Sequence, residues 1–438
     1  ITPNVGGISR HLKLIRTKPG YLGIKMAYRK FTRAIPGGNA LYRATHRLKA
    51  FLKRHLIGIT LFEDMGFNYI GPVDGSNVRR LTELLRYARE MQEPVLLHVI
   101  TKKGSGYGPA EEKPDQFHGV GAFDTASGAT QPSKSVTFSA TFGNTMQELA
   151  AEDPRICAIT AAMKPGTGLD GFAAAYPDRF FDVGIAEGHA VAMAAGLAKQ
   201  GMIPVAAIYS TFLQRAFDMM LHDVGLLNLH VIFAVDRAGL VGEDGETHHG
   251  VFDIGYLQQV PGMQILCPAN QAELRTLLRK AALEMTGPVA VRYPRGGDGF
   301  LKSVCTEPCL REGTDITLVS YGTMINTVLE AAVSLKQQGI HAEVIKLTQI
   351  KPLDMTPVLE SVRKTGRLFV VEETVDAGCL ANQLFARLEQ EGIAAAVGKR
   401  NFGDSYVTHG AVSKLYEATG MDCAGLLAGI REVLDHEA

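Results

Sequence analysis

Short apolar runs alternate with helical patterns between residues 136 and 296, and this alternation limits the possible folds more than any other feature. Helices fit between the runs at about 138–152, 188–200, 211–226 and 270–285. Continuous apolar runs of this length are typical of strands buried on both faces. The alternation therefore predicts an α/β fold with a parallel sheet covered by helices. The runs are ICAIT (156–160), FFDVGI (180–185), PVAAIY (204–209), HVIFAVD (230–236), MQILCP (263–268) and PVAVRYP (288–294).

Two further blocks flank this region. Residues 314–438 hold a smaller alternating set that begins with ITLVSYG (316–322), after a break at 296–314. Within residues 1–125, one helix is predicted around 39–55, and residues 56–125 hold one helical pattern and one buried run, Asn77–Met91 and PVLLHVIT (94–101). We expect three successive domains, at 1–125, 136–296 and 314–438, of which the first is only part of a domain core.

Charge and cysteine content exclude several classes of protein. Lys and Arg number 45, as do Asp and Glu, so no overall charge favours nucleic acid or membrane surfaces. Residues 1–60 contain thirteen basic and no acidic side chains, which predicts a solvated connector, with an arm for an anionic polymer as the alternative. Six cysteines in 438 residues do not form a disulfide scaffold. No apolar run reaches the roughly 18–20 residues of a membrane span, and we expect a cytoplasmic protein.

The segment FFDVGIAEGHAVAMAAGLAKQG (180–201) predicts a strand, a tight turn and a helix of small residues. Glu187 falls at the start of that helix, beyond the carboxyl end of a parallel strand, where α/β sheets bind ligands. The alternative is that Glu187 only complements the helix dipole.

Polar and aromatic side chains also follow other predicted strands. Because the carboxyl ends of parallel strands share one edge, we expect these side chains to converge. Several arginines beside a histidine suggest a phosphorylated substrate, since guanidinium groups bind phosphate through paired hydrogen bonds. The residues are Tyr209, Phe212 and Arg215 after the third run, Arg237, Asp244 and His248 after the fourth, and Arg295 after the sixth.

Several of these motifs carry a family resemblance. DVGIAEGHAVAMAAGLA, YSTFLQRAFDMMLHDV, DRAGLVGEDGETHHGVFDIGYL and VRYPRG resemble the pyrimidine-binding domain of 1-deoxy-D-xylulose-5-phosphate synthases, which belong to the transketolase superfamily. TKKGSGYGPAEEKPDQFHGVGAFD (101–124) resembles the end of that family's first domain. FVVEE and the later HG (409–410) resemble the transketolase C-terminal domain. The resemblance implies successive parallel-sheet domains of the transketolase type.

The resemblance also implies a cofactor, thiamin diphosphate with Mg²⁺, and a role for each matching residue. Glu187 would hydrogen-bond the aminopyrimidine of the cofactor and promote its reactive tautomer, and Phe212 would pack on the pyrimidine ring. Tyr107 and His118 would line the thiamin site. The substrate-binding positions would be Tyr209, Arg215, Arg237, Asp244, His248 and Arg295, with Arg237 and Arg295 as phosphate clamps and with Glu187 and His248 as the catalytic residues.

The implied reaction is the decarboxylation of pyruvate followed by addition to glyceraldehyde 3-phosphate, which yields 1-deoxy-D-xylulose 5-phosphate and CO₂. This product feeds isoprenoid, thiamin and pyridoxal precursors. The resemblance further implies a homodimer.

One expected motif is missing from its usual context. The family binds Mg²⁺ through a GDG loop and a later Asn, and this chain has Gly297-Asp298-Gly299 and Asn326. We reject this pair as a metal site, because it lies in a linker and because Asn326 falls inside a predicted helix. We expect the metal ligands to precede Ile1 and the chain alone to have little activity. Two alternatives remain: the C-terminal part of a split enzyme completed by an N-terminal partner, and a non-catalytic dimerisation remnant.

Overall fold

The fold was analysed in a computed structural model, which describes residues 61–114, 117–129 and 136–435, together with Ala27 and Phe31. The chain forms two compact units, Ile1–Pro132 and Ser133–Ala438, and each is considered by itself. Apart from Ala27 and Phe31, the predicted basic connector lies outside the described residues. The predicted α/β class is confirmed, since both units contain parallel strands joined by helices.

The smaller unit contains a parallel pair of strands, β1 (Asn68–Asp74) and β2 (Val95–Ile100). Helix α2 (Val78–Met91) connects them and begins at Asn77, whose side chain accepts a hydrogen bond from the Arg80 amide at 3.0 Å. Its buried face packs Leu84, Tyr87 and Met91 beside Val73. Two short helices, α1 (Leu61–Asp64) and α3 (Gly108–Glu112), complete the described part of this unit.

The larger unit is built around a seven-stranded sheet, in the order β12-β7-β8-β6-β5-β3-β4. All neighbouring pairs are parallel except β12 and β7. The central strands are wholly buried, as their unbroken apolar runs predict. The strands are β3 (Ile156–Thr160), β4 (Phe180–Asp182), β5 (Ile203–Tyr209), β6 (Ile232–Asp236), β7 (Gln264–Leu266), β8 (Val289–Arg292) and β12 (Gln349–Lys351).

The same unit contains a five-stranded sheet, in the order β14-β13-β10-β11-β9, in which only β9 runs antiparallel to its neighbour. The sequence did not indicate β9 or β12, because each is three residues long and neither lies in a longer apolar run, unlike β4 and β7. The strands are β9 (Cys309–Arg311), β10 (Ile316–Tyr321), β11 (Ala342–Leu347), β13 (Arg367–Val371) and β14 (Ala396–Arg400).

Helices cover both sheets, and the helices predicted at 138–152, 188–200 and 270–285 begin and end within two residues of those bounds. The predicted helix at 211–226 is wrong as a single helix: α7 and α8 are followed by a π-helix at 220–225 and separated by a 3-10 turn at 214–216. None of the described helices has the length and apolar character that crossing a membrane requires. The helices are α4 (Phe138–Glu152), α5 (Asp170–Ala175), α6 (Glu187–Lys199), α7 (Ser210–Leu213), α8 (Phe217–Met219), α9 (Asp253–Gln258), α10 (Gln271–Leu283), α11 (Ile325–Gln337), α12 (Thr356–Thr365), α13 (Leu380–Gln390), α14 (Val412–Thr419) and α15 (Cys423–Asp435).

The two sheets of the larger unit are joined by backbone pairing and by a buried ion pair. Strand β12 follows β11 of the smaller sheet but pairs with β7 of the larger one, and the Cys267 amide donates to the Thr348 carbonyl at 2.8 Å. Lys346 of β11 binds Glu273 of α10 with an Nζ–Oε1 distance of 2.9 Å, and their side chains are only 1% and 2% exposed. The polar contacts therefore hold the two sheets in one orientation.

We predict that Lys346→Ala lowers the free energy of unfolding of the larger unit by about 3–5 kcal/mol, because it leaves a buried carboxylate without its counter-ion. The matched control is Lys414→Ala, which removes a Lys414–Glu417 pair of similar length, 2.8 Å, whose side chains are 72% and 52% exposed. That change should cost less than about 1 kcal/mol. Urea denaturation followed by circular dichroism measures both values, and equal losses in the two variants would contradict the prediction.

Candidate active site

The turn between β4 and α6 places Glu187 at a helix start. The Oδ1 atom of Asp182 accepts hydrogen bonds from the amides of Ala162, at 2.8 Å, and Gly184, at 3.0 Å. Gly184 has a φ of +72°, a conformation that favours glycine. Glu187 is the first residue of α6 and is 3% exposed. Its carboxylate is therefore buried where the helix dipole stabilises negative charge.

Arg215 joins Glu187 to the aromatic side of the site. Its Nη1 donates to Oε1 of Glu187 at 2.7 Å, and its guanidinium carbon lies 4.9 Å from the ring centroid of Phe212. Arg215 lies in the 3-10 turn that interrupts the predicted helix, and such interruptions occur at functional sites. The sequence predicts that Arg215 lies beside the substrate, and this role stays a prediction. In the structure, Arg215 is the counter-ion of Glu187.

Three rings meet at the carboxyl edge of the large sheet. Tyr209 ends β5, and its ring stacks on that of Phe212 with centroids 5.9 Å apart. The His248 ring meets Phe212 edge-on at 5.3 Å. Burial raises the pKa of the Tyr209 hydroxyl, while the neighbouring Arg237 opposes that rise. The aromatic cluster therefore joins the end of β5 to the loop that follows β6.

Arg237 follows β6 in a left-handed conformation, with φ of +60°. Such strain in a residue other than glycine is concentrated at active sites and ligand-binding positions. Nη1 of Arg237 donates to the Gly166 carbonyl at 2.7 Å and to Oδ1 of Asp236 at 2.8 Å. Its guanidinium carbon lies 3.8 Å from the centroid of the Tyr209 ring. The guanidinium is thus held by an anion, a carbonyl and an aromatic face.

Asp236 is a part of the site that the sequence analysis missed. It is fully buried, and its Oδ2 accepts a hydrogen bond from the Ser139 hydroxyl at 2.8 Å. Burial raises the pKa of this carboxyl, and Arg237 acts in the opposite direction. A charged residue at the last position of an otherwise apolar strand was the available signal.

Arg295 and Asp244 form an ion pair at the rim of the site. Nη1 of Arg295 lies 2.8 Å from Oδ2 of Asp244, and both side chains are about half exposed, at 48% and 49%. The same nitrogen donates to the Val241 carbonyl at 3.2 Å. The rim therefore carries a guanidinium that water and small anions can reach.

The predicted residues of the larger unit come together, and the other two lie in the smaller unit. There, the Tyr107 hydroxyl donates to the Thr125 carbonyl at 3.0 Å, and Nδ1 of His118 lies 3.0 Å from Nζ of Lys103. The cofactor roles of Tyr107 and His118 remain predictions. The residues brought together in the larger unit are Glu187, Tyr209, Phe212, Arg215, Arg237, Asp244, His248 and Arg295.

The GDG segment and Asn326 have structural hydrogen bonds. Oδ1 of Asp298 accepts from the Gln271 amide at 2.7 Å, at the start of α10. Oδ1 of Asn326 accepts from the Leu301 amide at 3.0 Å. These bonds give both residues a role in fixing the linker.

Among the described residues, one other group could supply metal ligands. Three residues, Cys309, Glu312 and Glu343, each offer one potential ligand atom, and these three atoms lie within 4.8 Å of one another. Lys364 pairs with both glutamates, so a cation already balances this charge. The group lies at strands β9 and β11 of the smaller sheet.

Three protein-family models match the chain. A model described as 1-deoxy-D-xylulose-5-phosphate synthase matches residues 1–101. The pyrimidine-binding domain of transketolase matches residues 134–297. The transketolase C-terminal domain matches residues 308–426.

Whole proteins match over nearly the entire chain. A 1-deoxy-D-xylulose-5-phosphate synthase from Heliobacterium modesticaldum is 45% identical over 445 aligned positions, which cover 99% of this chain and 69% of that protein. A synthase of the same name from Symbiobacterium thermophilum is 47% identical, with 97% of this chain and 67% of that protein covered.

Solved structures show the same fold. A protein described as a split gene transketolase, inactive β4 tetramer, has a TM-score of 0.61 and 32% identity, with 68% of this chain and 98% of that chain covered. Transketolase from Campylobacter jejuni has a TM-score of 0.55, with 68% of this chain and 47% of that chain covered. Its 19% identity shows the fold alone.

We predict that Gly166→Ala displaces the Tyr209 and Arg237 side chains, because an added Cβ would lie 1.7 Å from the Tyr209 hydroxyl and 3.4 Å from Nη2 of Arg237. A crystal structure of the variant measures the displacement. Gly196→Ala on α6 is the control, since its Cβ would meet nothing within 4 Å, and it should raise stability by up to about 1 kcal/mol. An unmoved Tyr209 ring in Gly166→Ala would contradict the prediction.

Proposed function

Because the chain belongs to the 1-deoxy-D-xylulose-5-phosphate synthase family of transketolase-like transferases, we propose that it decarboxylates pyruvate and joins the remaining two-carbon unit to glyceraldehyde 3-phosphate. The observation that carries this proposal is the chain of contacts from the buried Glu187 through Arg215 to Phe212. This combination suits a protonated heterocycle, and the arginines nearby suit a sugar phosphate.

The cofactor would be thiamin diphosphate with Mg²⁺, and the residues present fit its pyrimidine. When bound, thiamin diphosphate supplies the nucleophilic carbon and the electron sink of the reaction. Glu187 is a buried carboxylate at a helix start, able to accept a hydrogen bond from a ring nitrogen. Phe212 offers an aromatic face for stacking. Arg215, already bonded to Glu187, would hold the carboxylate in position.

The phosphate of the acceptor substrate would be bound by Arg237 and Arg295. All side-chain hydrogen bonds of Arg237 to other described residues use Nη1, so its other guanidinium nitrogens can donate to phosphate. Arg295 is half exposed, and Asp244 orients it. Two preoriented guanidinium groups bind a phosphate with little loss of side-chain entropy.

His248 would transfer a proton at the aldehyde oxygen of the acceptor. Its Nδ1 lies 2.8 Å from the Thr247 hydroxyl, and its ring edge meets Phe212. The bond to Nδ1 orients the ring and leaves Nε2 for substrate, as general acid catalysis requires. Tyr209 would line the same space.

We further propose a cytoplasmic homodimer whose product feeds isoprenoid, thiamin and pyridoxal precursors. The six cysteines are free, which supports a reducing compartment. Exposed apolar side chains on the larger unit support self-association, among them Ile185 at 81% and Leu226 at 72% exposure.

A second candidate is one subunit of a split thiamin enzyme. The match to 98% of the split gene transketolase chain favours it. Co-purification with a separate polypeptide that restores activity would support this candidate over a single-chain enzyme.

We predict that Glu187→Gln lowers kcat about 10²-fold or more. A glutamine amide carries no negative charge and cannot share a proton with a ring nitrogen as a carboxylate can. The assay follows CO₂ release from pyruvate and glyceraldehyde 3-phosphate with thiamin diphosphate and Mg²⁺, in the full protein that carries this chain. Glu152→Gln is the control, since Glu152 pairs with Arg279 at the same 2.7 Å distance but away from the site and at 47% exposure. An unchanged rate in Glu187→Gln would contradict the proposed function.

We predict that Arg295→Ala raises the KM for glyceraldehyde 3-phosphate about tenfold to a hundredfold, with the KM for pyruvate within about twofold, because only the acceptor carries phosphate. Arg275→Ala is the matched control, since Arg275 is similarly exposed, at 58%, and pairs with Glu148 away from the site. Steady-state kinetics measures both constants. Equal changes for the two substrates would refute a phosphate-binding role.

A further inference from the structure

The loop at residues 237–250 carries three of the proposed substrate-binding residues: Arg237, Asp244 and His248. Its ends are closed by paired hydrogen bonds between Gly239 and Gly250, both 2.8 Å long. Loops of this length are mobile unless contacts outside their own strands hold them. Arg295 of the larger sheet holds the middle of the loop at Val241 and Asp244. Residues that follow β13 and β14 of the smaller sheet hold it as well.

The first contact is a buried carboxylate. Glu373 follows β13, is 6% exposed, and accepts a hydrogen bond from the Leu240 amide at 3.2 Å. The same oxygen, Oε1, accepts the Tyr416 hydroxyl at 2.6 Å. A Cβ added to Gly239 would lie 2.7 Å from both carboxylate oxygens. The loop backbone is therefore packed directly against this charge.

The second contact is a histidine with both ring nitrogens engaged. His249 is 2% exposed. Its Nδ1 accepts from the Val241 amide at 3.1 Å, and its Nε2 donates to the Thr408 carbonyl at 3.0 Å. This pattern requires the neutral ring with its proton on Nε2. Of the two consecutive histidines, His248 faces the aromatic cluster and His249 fastens the loop to residues that follow β14.

Close backbone approach accounts for two glycines of the loop. Gly242 has φ of +91°, and an added Cβ would lie 3.1 Å from the Gly410 carbonyl oxygen. Gly245 has φ of +71°, and its Cβ would lie 3.0 Å from Cβ of His409. The Gly410 amide donates to the Gly242 carbonyl at 3.3 Å. The loop and the His409-Gly410 segment are thus packed against each other.

We propose that Glu373, Tyr416 and His249 are positioning residues that hold the 237–250 loop where Arg237, Asp244 and His248 meet the phosphorylated acceptor. The inference rests on the proposed function for the identity of that acceptor. These three residues act through the loop backbone, and none of them needs to touch the substrate.

The chain provides a matched control in the neighbouring residue. Glu372 is also buried, and it accepts a tyrosine hydroxyl, from Tyr321, at 2.9 Å. Its remaining bonds go to the amides of Leu380 and Ala381 at the start of α13, both at 2.8 Å. The two adjacent glutamates therefore make similar hydrogen bonds. Glu373 binds the 237–250 loop, and Glu372 binds the start of α13.

The test compares Glu373→Leu, Glu373→Gln, Tyr416→Phe and the control Tyr321→Phe in the full protein. Hydrogen exchange of the peptide that spans residues 239–250 is measured without substrate, and steady-state kinetics gives KM for each substrate and kcat. Glu373→Leu should speed hydrogen exchange in the loop and raise the KM for glyceraldehyde 3-phosphate about tenfold, because the Leu240 amide loses its hydrogen-bond acceptor. Glu373→Gln keeps an acceptor oxygen and should restore both values to within about threefold.

Tyr416→Phe should fall between these two variants, and Tyr321→Phe should leave loop exchange and both KM values unchanged. Unaltered exchange and KM in Glu373→Leu, or equal changes in Tyr321→Phe, would overturn the positioning role. Because exchange is measured without substrate, it tests the loop contact independently. If the unsubstituted protein does not use glyceraldehyde 3-phosphate, the proposed function fails, while the exchange result still decides whether Glu373 holds the loop.

Discussion

Parallel pairing of β3, β5, β6 and β8 is the constraint on which the candidate site depends. Parallel strands all end at one edge, so the turns that follow them bring side chains from distant parts of the chain together. Tyr209 ends β5, Arg237 follows β6, and Arg295 follows β8. Both faces of the sheet are covered, and this edge is the place where polar groups can gather without disrupting the core.

Charge compensation shapes this edge. Glu187 is paired with Arg215, Arg237 with Asp236, and Arg295 with Asp244. In each pair a guanidinium group lies next to the carboxylate, so that the two buried carboxylates, Glu187 and Asp236, are not left without a counter-ion. The carboxylates thereby fix the directions of the guanidinium groups, which is the preorganisation that binding an anion needs.

The smaller sheet contributes to the site through strand pairing and through side-chain contacts. Strand β12 extends the larger sheet, and Lys346 neutralises Glu273. Glu373 accepts a hydrogen bond from the 237–250 loop. These contacts make the two sheets one compact unit. The 237–250 loop is bounded on two sides, and Gly242 and Gly245 occur where the segment that follows β14 approaches it.

The sequence by itself determined the fold class, the buried strands and the edge at which Glu187, Arg237 and Arg295 would meet, because continuous apolar runs and βα order encode a parallel sheet locally. Tertiary structure alone decided that Arg215 pairs with Glu187, that Arg237 donates to the Gly166 carbonyl, and that β12 crosses to the other sheet. It also decided that His249 and Glu373 hold the loop. These contacts join residues up to 159 positions apart, and no periodicity within either segment records which distant groups will share a hydrogen bond.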